Sequence, residues 1–203
     1  MGQWYVFNHR NTNRHGYSRQ ACAEKIYFTE EGNIPQVEIT SCGLNNGPLI
    51  ALGEYEAGIA CNLQGKNGIG LIRTLFDKRL PYITQDRVDR EENPCQHAAN
   101  LQDGALVGYK YFSFNGETYQ FIVKTRGTGE GRLLVSIVPG GKPLAEVTLT
   151  NMSAVWKESV SLLKVPKGMH GLYITFHGKG AVDILSFRFG NVNSELLTGI
   201  FIA

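Results

Sequence analysis

The sequence predicts an all-β protein, a β-sandwich of jelly-roll type preceded by a few antiparallel strands, and three observations carry that expectation. Glycine is frequent, at 24 of 203 residues, and the glycines fall between short apolar runs, as tight turns between many short strands require. Leu133, Val135 and Ile137 fall two residues apart, Leu172, Ile174 and Phe176 alternate with Tyr173, Thr175 and His177, and Leu185, Phe187 and Phe189 alternate with Ser186 and Arg188. That two-residue period places one apolar face on a sheet. Asn115-Gly116 separates two such runs and signals a type I′ hairpin, since both residues tolerate positive φ.

Taken in order, the C-terminal strands are expected over Leu106 to Phe114, Tyr119 to Lys124, and Leu133 to Ile137. Pro139-Gly140-Gly141 turns the chain into Leu144 to Leu149, and the Leu172 and Leu185 runs close the set. Turn signals at roughly ten-residue spacing describe a sandwich or barrel, and no segment here carries a helical period. The sandwich is assigned to residues 81–190. At the N-terminal end, Trp4 to His9, Ser18 to Phe28 and Gln36 to Thr40 read as a three-stranded meander within residues 1–42, with Glu30-Glu31-Gly32-Asn33 as its second turn. Three strands bury too little apolar area to stand alone and call for a partner surface. Residues 43–80, rich in Gly and Asn, read as a connector. Residues 191–203 form a tail with an apolar end at Ile200-Phe201-Ile202, open to reading as a swapped strand, an edge strand or a frayed end.

The 20 basic and 18 acidic residues leave a net charge of +2, and the basic residues are scattered, so no nucleic-acid partner is expected. No apolar run approaches a membrane span, and no membrane partner is expected. Val6 stands where a myristoylation motif needs Ser or Thr. The opening residues show no secretory signal, which makes the cytoplasm the default expectation. Cys22, Cys42, Cys61 and Cys95 lie far apart without a CxxC pair. Free, buried thiols are the favoured reading, with a Cys22–Cys42 pairing left open.

The N-terminal run resembles the last blade of the five-bladed propeller of glycoside hydrolase family 43. Phe7-Asn8-His9-Arg10, Ser18-Arg19-Gln20 and Gly32-Asn33-Ile34 carry the likeness. The second part is similar to carbohydrate-binding module family 6, through Asp103-Gly104-Ala105-Leu106-Val107-Gly108-Tyr109, Trp156, Gly168 to Phe176 and the Leu185 to Phe189 strand. Residues 1–42 are then a blade remnant. The resemblance implies a carbohydrate-binding accessory module for xylan- or arabinan-type polysaccharide. Its rivals are a bracing domain and a fragment that acts only beside a separate hydrolase chain, and self-association is a further option for partners. The hydrolase family works with three carboxylates from earlier blades, and glycoside hydrolysis needs such a pair at fixed separation. Glu24, Glu30, Glu31 and Glu38 are instead expected to be solvated surface charges, so the chain is expected to be non-catalytic by itself.

Four residues follow from the resemblance as candidate sugar contacts: His9 and Arg19 from the blade, Tyr109 and Trp156 from the module. Flat rings suit the C–H faces of sugars, and the guanidinium fork suits hydroxyls. Without the other blades, His9 and Arg19 read as relics. Trp156 lies in a polar loop and reads either as a ligand contact or as packing beneath that loop. Tyr109 lies on a strand, where aromatic residues usually pack inward. The module's cleft Asn falls near Ile184-Leu185, neither of which replaces it, and Asn191 or Asn193 reaches that place only if the tail folds back. The modules often carry a structural calcium, which here implies Gln85, Asp86 and Asp183 as ligands, with Gln85 standing where Glu is expected.

Overall fold

A computed structural model describes residues 2–68, 77–87, 95–150 and 152–192. Among these residues there are fourteen strands. Strands β1 (Trp4–Asn11) and β2 (Arg19–Ile26) form an antiparallel hairpin, in register from Trp4 opposite Ile26 to Asn11 opposite Arg19. The turn is tied by the Thr12 N–H donating to the Ser18 carbonyl at 2.9 Å and by the two hydroxyls at 2.8 Å. The third strand expected over Gln36 to Thr40 does not form. Pro35 has no N–H to give a ladder. The Thr40 N–H and hydroxyl instead donate to the Glu24 carboxylate at 2.7 and 2.8 Å, and the Ser41 N–H donates to the Lys110 carbonyl across the sandwich.

The sandwich begins well before Pro81. Its first pieces are β3 (Leu49–Ile50), β4 (Gly53–Glu56), a 3-10 turn (Ala57–Ile59) and β5 (Asn62–Gln64), followed by β6 (Tyr82–Gln85) and β7 (Gln96–Leu101). Then come β8 (Leu106–Phe114), β9 (Thr118–Thr128), β10 (Gly131–Ser136), β11 (Ala145–Leu149), β12 (Lys157–Lys164), β13 (Gly168–Gly178) and β14 (Ala181–Asn191). One sheet runs β11-β10-β13-β8-β3, with β5 also on β8; the other runs β12-β9-β14-β7-β6, with β4 also on β14. The expected connector therefore supplies strands to both sheets. Its residues 69–76, and the tail from residue 193 with Asn193 and the apolar end, lie outside the described residues.

The core forms where the predicted alternation places it. Leu133, Val135, Leu172, Ile174 and Phe176 are fully buried, and Phe187 and Phe189 almost so. Phe112 packs edge-on against Phe187 and Phe189 at 5.9 and 5.4 Å between centroids, the arrangement that aromatic quadrupoles favour. Two local expectations change. A register shift between Ile184 and Ser186 inverts the parity of β14, so Ile184 is buried and Leu185 is not; an extra residue in one strand does this wherever it falls. The Asn115-Gly116 turn has positive φ only at Gly116, at 88°. Asn115 contributes its side chain instead, accepting the Glu117 N–H at 2.9 Å, so the turn is not type I′. All four cysteines are free and half-buried. Among the described residues no helix is long and apolar enough to cross a membrane.

Candidate functional site

Five side chains from both halves of one sheet meet beside the loop that enters β12. Arg126 on β9 stands opposite Asp183 on β14 in the antiparallel register, and its Nε donates to that carboxylate at 3.1 Å. Its two terminal nitrogens donate to Asp86, just past β6, at 2.8 and 2.7 Å, the paired geometry that a planar guanidinium gives a carboxylate. His97 on β7 is only 1% exposed, and its Nε2 accepts from Arg126 Nη2 at 3.1 Å. That contact requires a lone pair on Nε2 and therefore a neutral ring. Burial pushes the imidazole below its usual range, against the pull of the Cys95 carbonyl, Asp183 and Asp86. Burial works to raise Asp86, but the hydrogen bonds and charge of Arg126, with His97 and the Trp156 N–H, together outweigh it and hold this carboxylate below its ordinary value.

Trp156 completes the group. Its indole N–H donates to Asp86 at 3.3 Å, Arg126 lies over its ring at 4.2 Å, and His97 meets it edge-on at 5.2 Å. The residue is half-buried. Trp156 thus packs on the sheet end and also keeps exposed surface next to a carboxylate and a guanidinium.

The proposed calcium ligands Asp86 and Asp183 do come together, but around the Arg126 guanidinium, which already supplies the positive charge. The Gln85 amide nitrogen donates to the Arg87 carbonyl at 3.0 Å. Calcium needs six to eight hard oxygens, and among the described residues no group of three or more His, Cys, Asp or Glu side chains is placed to hold a metal. This donor set does not fit the ion.

Tyr109 is fully buried, with its ring 4.6 Å from Phe187. This is a correction: a ring closed off from solvent on β8 cannot clamp a sugar. His9 and Arg19 are exposed on the hairpin, on β1 and β2, and the structure does not bring them to the Trp156 group. His9 lines a crevice of about 490 Å³ between the hairpin and the sandwich. The neighbouring Arg10, which the sequence did not single out, points into the structure. It donates to the Gly58 and Ala60 carbonyls and to Gln20 Oε1, the last at 2.7 Å. Strand alternation alone separates the roles of His9 and Arg10, and only the partner surface decides which of them turns inward. Glu24 also differs from expectation: it is 4% exposed and satisfied by Thr40 rather than by water.

No family model matches the chain. Over 189 residues it is 40% identical to a protein from Thermoclostridium stercorarium named xylosidase/arabinosidase, a match covering 92% of this chain and 39% of the relative. The chain thus spans well under half the length of that relative. A glycoside hydrolase family 43 arabinoxylan arabinofuranohydrolase from Bacillus subtilis superposes with a TM-score of 0.61 at 18% identity, over 94% of this chain and 39% of its own. A β-1,3-glucan-binding family 6 module from Bacillus halodurans gives 0.56 at 16%, over 71% of this chain and all of its own. A family 6 module from Clostridium stercorarium, in complex with cellobiose, gives 0.55 at 14%, over 72% and 99%. This chain is therefore a homologue of the matched part of a xylosidase/arabinosidase, and its sandwich has the fold of family 6 carbohydrate-binding modules.

Proposed function

We propose that the chain is a carbohydrate-binding accessory module directed at xylan- or arabinan-type polysaccharide, non-catalytic as it stands. The observation that carries this is the Trp156 group at the end of a family 6 sandwich, in a homologue of a xylosidase/arabinosidase. An indole offers a flat apolar surface to sugar C–H groups, and the Asp86 carboxylate beside it accepts from hydroxyls. A bound module raises the local concentration of substrate for a linked or partner enzyme.

The acids support the non-catalytic reading. A general acid at neutral pH needs a raised pKa, whereas Asp86 is held down by Arg126 and Glu38 by Lys110. Glu24 is spent on Thr40. Isothermal titration with xylo- and arabino-oligosaccharides, run beside assays on aryl xylosides and arabinofuranosides, tests both halves. Saturable binding without turnover is expected. Turnover that persists through repurification and disappears in Glu24→Gln or Glu38→Gln would overturn the non-catalytic half.

A second reading, association with a separate hydrolase chain, is favoured by the hairpin surface. Trp4 on β1 and Phe28 just past β2 are 61% and 48% exposed, with their rings edge-on at 5.7 Å, and among the described residues β1 and β2 pair with no other strand. Apolar side chains clustered this way mark a contact surface. Gel filtration of the chain mixed with such a hydrolase polypeptide tests it, and co-elution is expected.

A further inference from the structure

A second cavity, of about 350 Å³, lies at the seam where residues 34–48 cross from the hairpin to β8. Its volume is within the range of small-molecule sites. Tyr27, Ile34, Tyr111 and Met169 supply apolar wall, and Lys25 and Glu38 supply polar groups. Tyr27, Ile34 and Met169 keep much of their surface open, so the wall is accessible. We propose that this seam is a sugar-binding site distinct from the Trp156 group, taking one neutral pyranose or furanose unit of a polysaccharide; the proposal rests on the accessory-module reading and adds a second site to it.

The chemistry of Glu38 selects the ligand. Lys110 Nζ donates to its Oε1 at 2.6 Å, and the Tyr111 hydroxyl donates to both oxygens at 3.0 Å. The Lys110 hydrogen bond, above all, holds the carboxyl below its ordinary range, so Glu38 is ionised at neutral pH. A carboxylate has about four acceptor positions. Two donors, Lys110 and the single Tyr111 proton, take up part of that capacity, and the side chain is still 52% exposed, which leaves room for hydroxyl donors. Lys110 balances Glu38, and Lys25 stands with Glu24 in the same wall, so neither an anionic nor a cationic ligand gains net attraction there. A lipid chain would strip water from the Glu38–Lys110 pair without replacing its hydrogen bonds, at a cost that burial of bare polar groups always carries. A neutral polyhydroxy ring meets each demand: C–H faces on Tyr27 and Tyr111, hydroxyls on Glu38.

The test uses the full chain with xylohexaose as probe, read by calorimetry and by amide shifts, in wild type and in Tyr27→Ala, Glu38→Gln and Trp156→Ala. Tyr27 is 67% exposed, so its truncation leaves the fold intact. Loss of one stacking contact or one charged acceptor should weaken binding about three- to tenfold. In Trp156→Ala the remaining binding should still shift the amides of Tyr111 and Met169. If wild type binds while Tyr27→Ala and Glu38→Gln match its affinity, with shifts confined to the Trp156 loop, the seam site is overturned and the module reading stands. If wild type binds neither xylohexaose nor an arabino-oligosaccharide, both fall together.

Discussion

Trp156 is the residue on which most of the functional reading turns, and its surroundings give it two jobs. One flank of the indole lies against the Arg126 guanidinium, and its N–H is held by Asp86. A partly desolvated cation–π contact is worth about 1 kcal/mol and a hydrogen bond to a charged group about 1.5 to 3 kcal/mol, both reduced by the remaining exposure. Trp156→Ala should therefore lower stability by roughly 1 to 2 kcal/mol in urea denaturation, more than a solvated surface residue and less than a core aromatic. It should also weaken sugar binding at that end. A loss of about 4 kcal/mol or more would make Trp156 a packing residue and remove the main support for its ligand role. Tyr109 shows the other extreme. Burial raises its hydroxyl far above the usual phenol range, and among the described residues the hydroxyl reaches only the Ala57 carbonyl, at 3.5 Å, so its ring matters for packing.

At the scale of elements, the hairpin is attached to the sandwich mainly through polar contacts made by a few side chains. Besides Arg10, the Asn13 N–H donates to the Ile83 carbonyl at 2.8 Å, Thr84 donates to Asn13 Oδ1 at 2.7 Å, and Gln20 donates to Gln96 at 2.8 Å. Burial lowers the Arg10 guanidinium from its usual value, because the hydrogen bonds it makes replace only part of the hydration that the charged form loses. Arg10→Met keeps the stem but leaves the Gly58 and Ala60 carbonyls without this donor, at about 1 to 3 kcal/mol for each group left bare. Hydrogen exchange should then quicken across β1 and β2 by one to two orders of magnitude while β8, β9, β13 and β14 stay protected. Uniform loss of protection would show instead that the hairpin and sandwich unfold as one unit. This attachment was hidden from the sequence for a physical reason. Long strands with a strict two-residue period, such as β13, could be read directly. Strands β3, β4 and β5 are two to four residues long, too short to show a period, and they exist because β8 and β14 offer them edges. The β14 register shift could not be read either, since inserting one residue leaves no compositional mark. Trp156, Asp86 and Asp183 were legible as separate residues of interest, but Arg126 and His97, which join them, were not, because their closeness depends on the order of strands in the sheet.

For the whole molecule, the Arg126 cluster ties β7, β9 and β14 to the segment just past β6 and to the loop before β12, so its protonation should govern how stability varies with pH. His97 is favoured neutral in the folded protein, with its affinity for a proton lowered by burial. The unfolded chain therefore binds more protons below the ordinary imidazole value of about 6.5, and stability must fall as pH drops from there toward the lower folded value. Asp86 and Glu38 act in the same direction at lower pH. Their folded values are depressed, so their contribution is complete above the ordinary carboxylate value of about 4 and is lost as pH falls through the folded values. Denaturant midpoints measured from pH 8 to pH 3 should decline in two stages, the first beginning near 6.5 and the second below about 4. Replacing the ring with a side chain that still accepts from Arg126 but does not titrate, His97→Gln, should remove the first stage and keep the second. Asp183 and Asp86 lie 3.8 and 4.0 Å from His97 Nε2, near enough to take up an imidazolium if Arg126 moves aside. A flat curve between pH 7 and pH 5 would mean that they do so at no net cost, and that the neutral ring bound to Arg126 is only one of two arrangements of nearly equal energy.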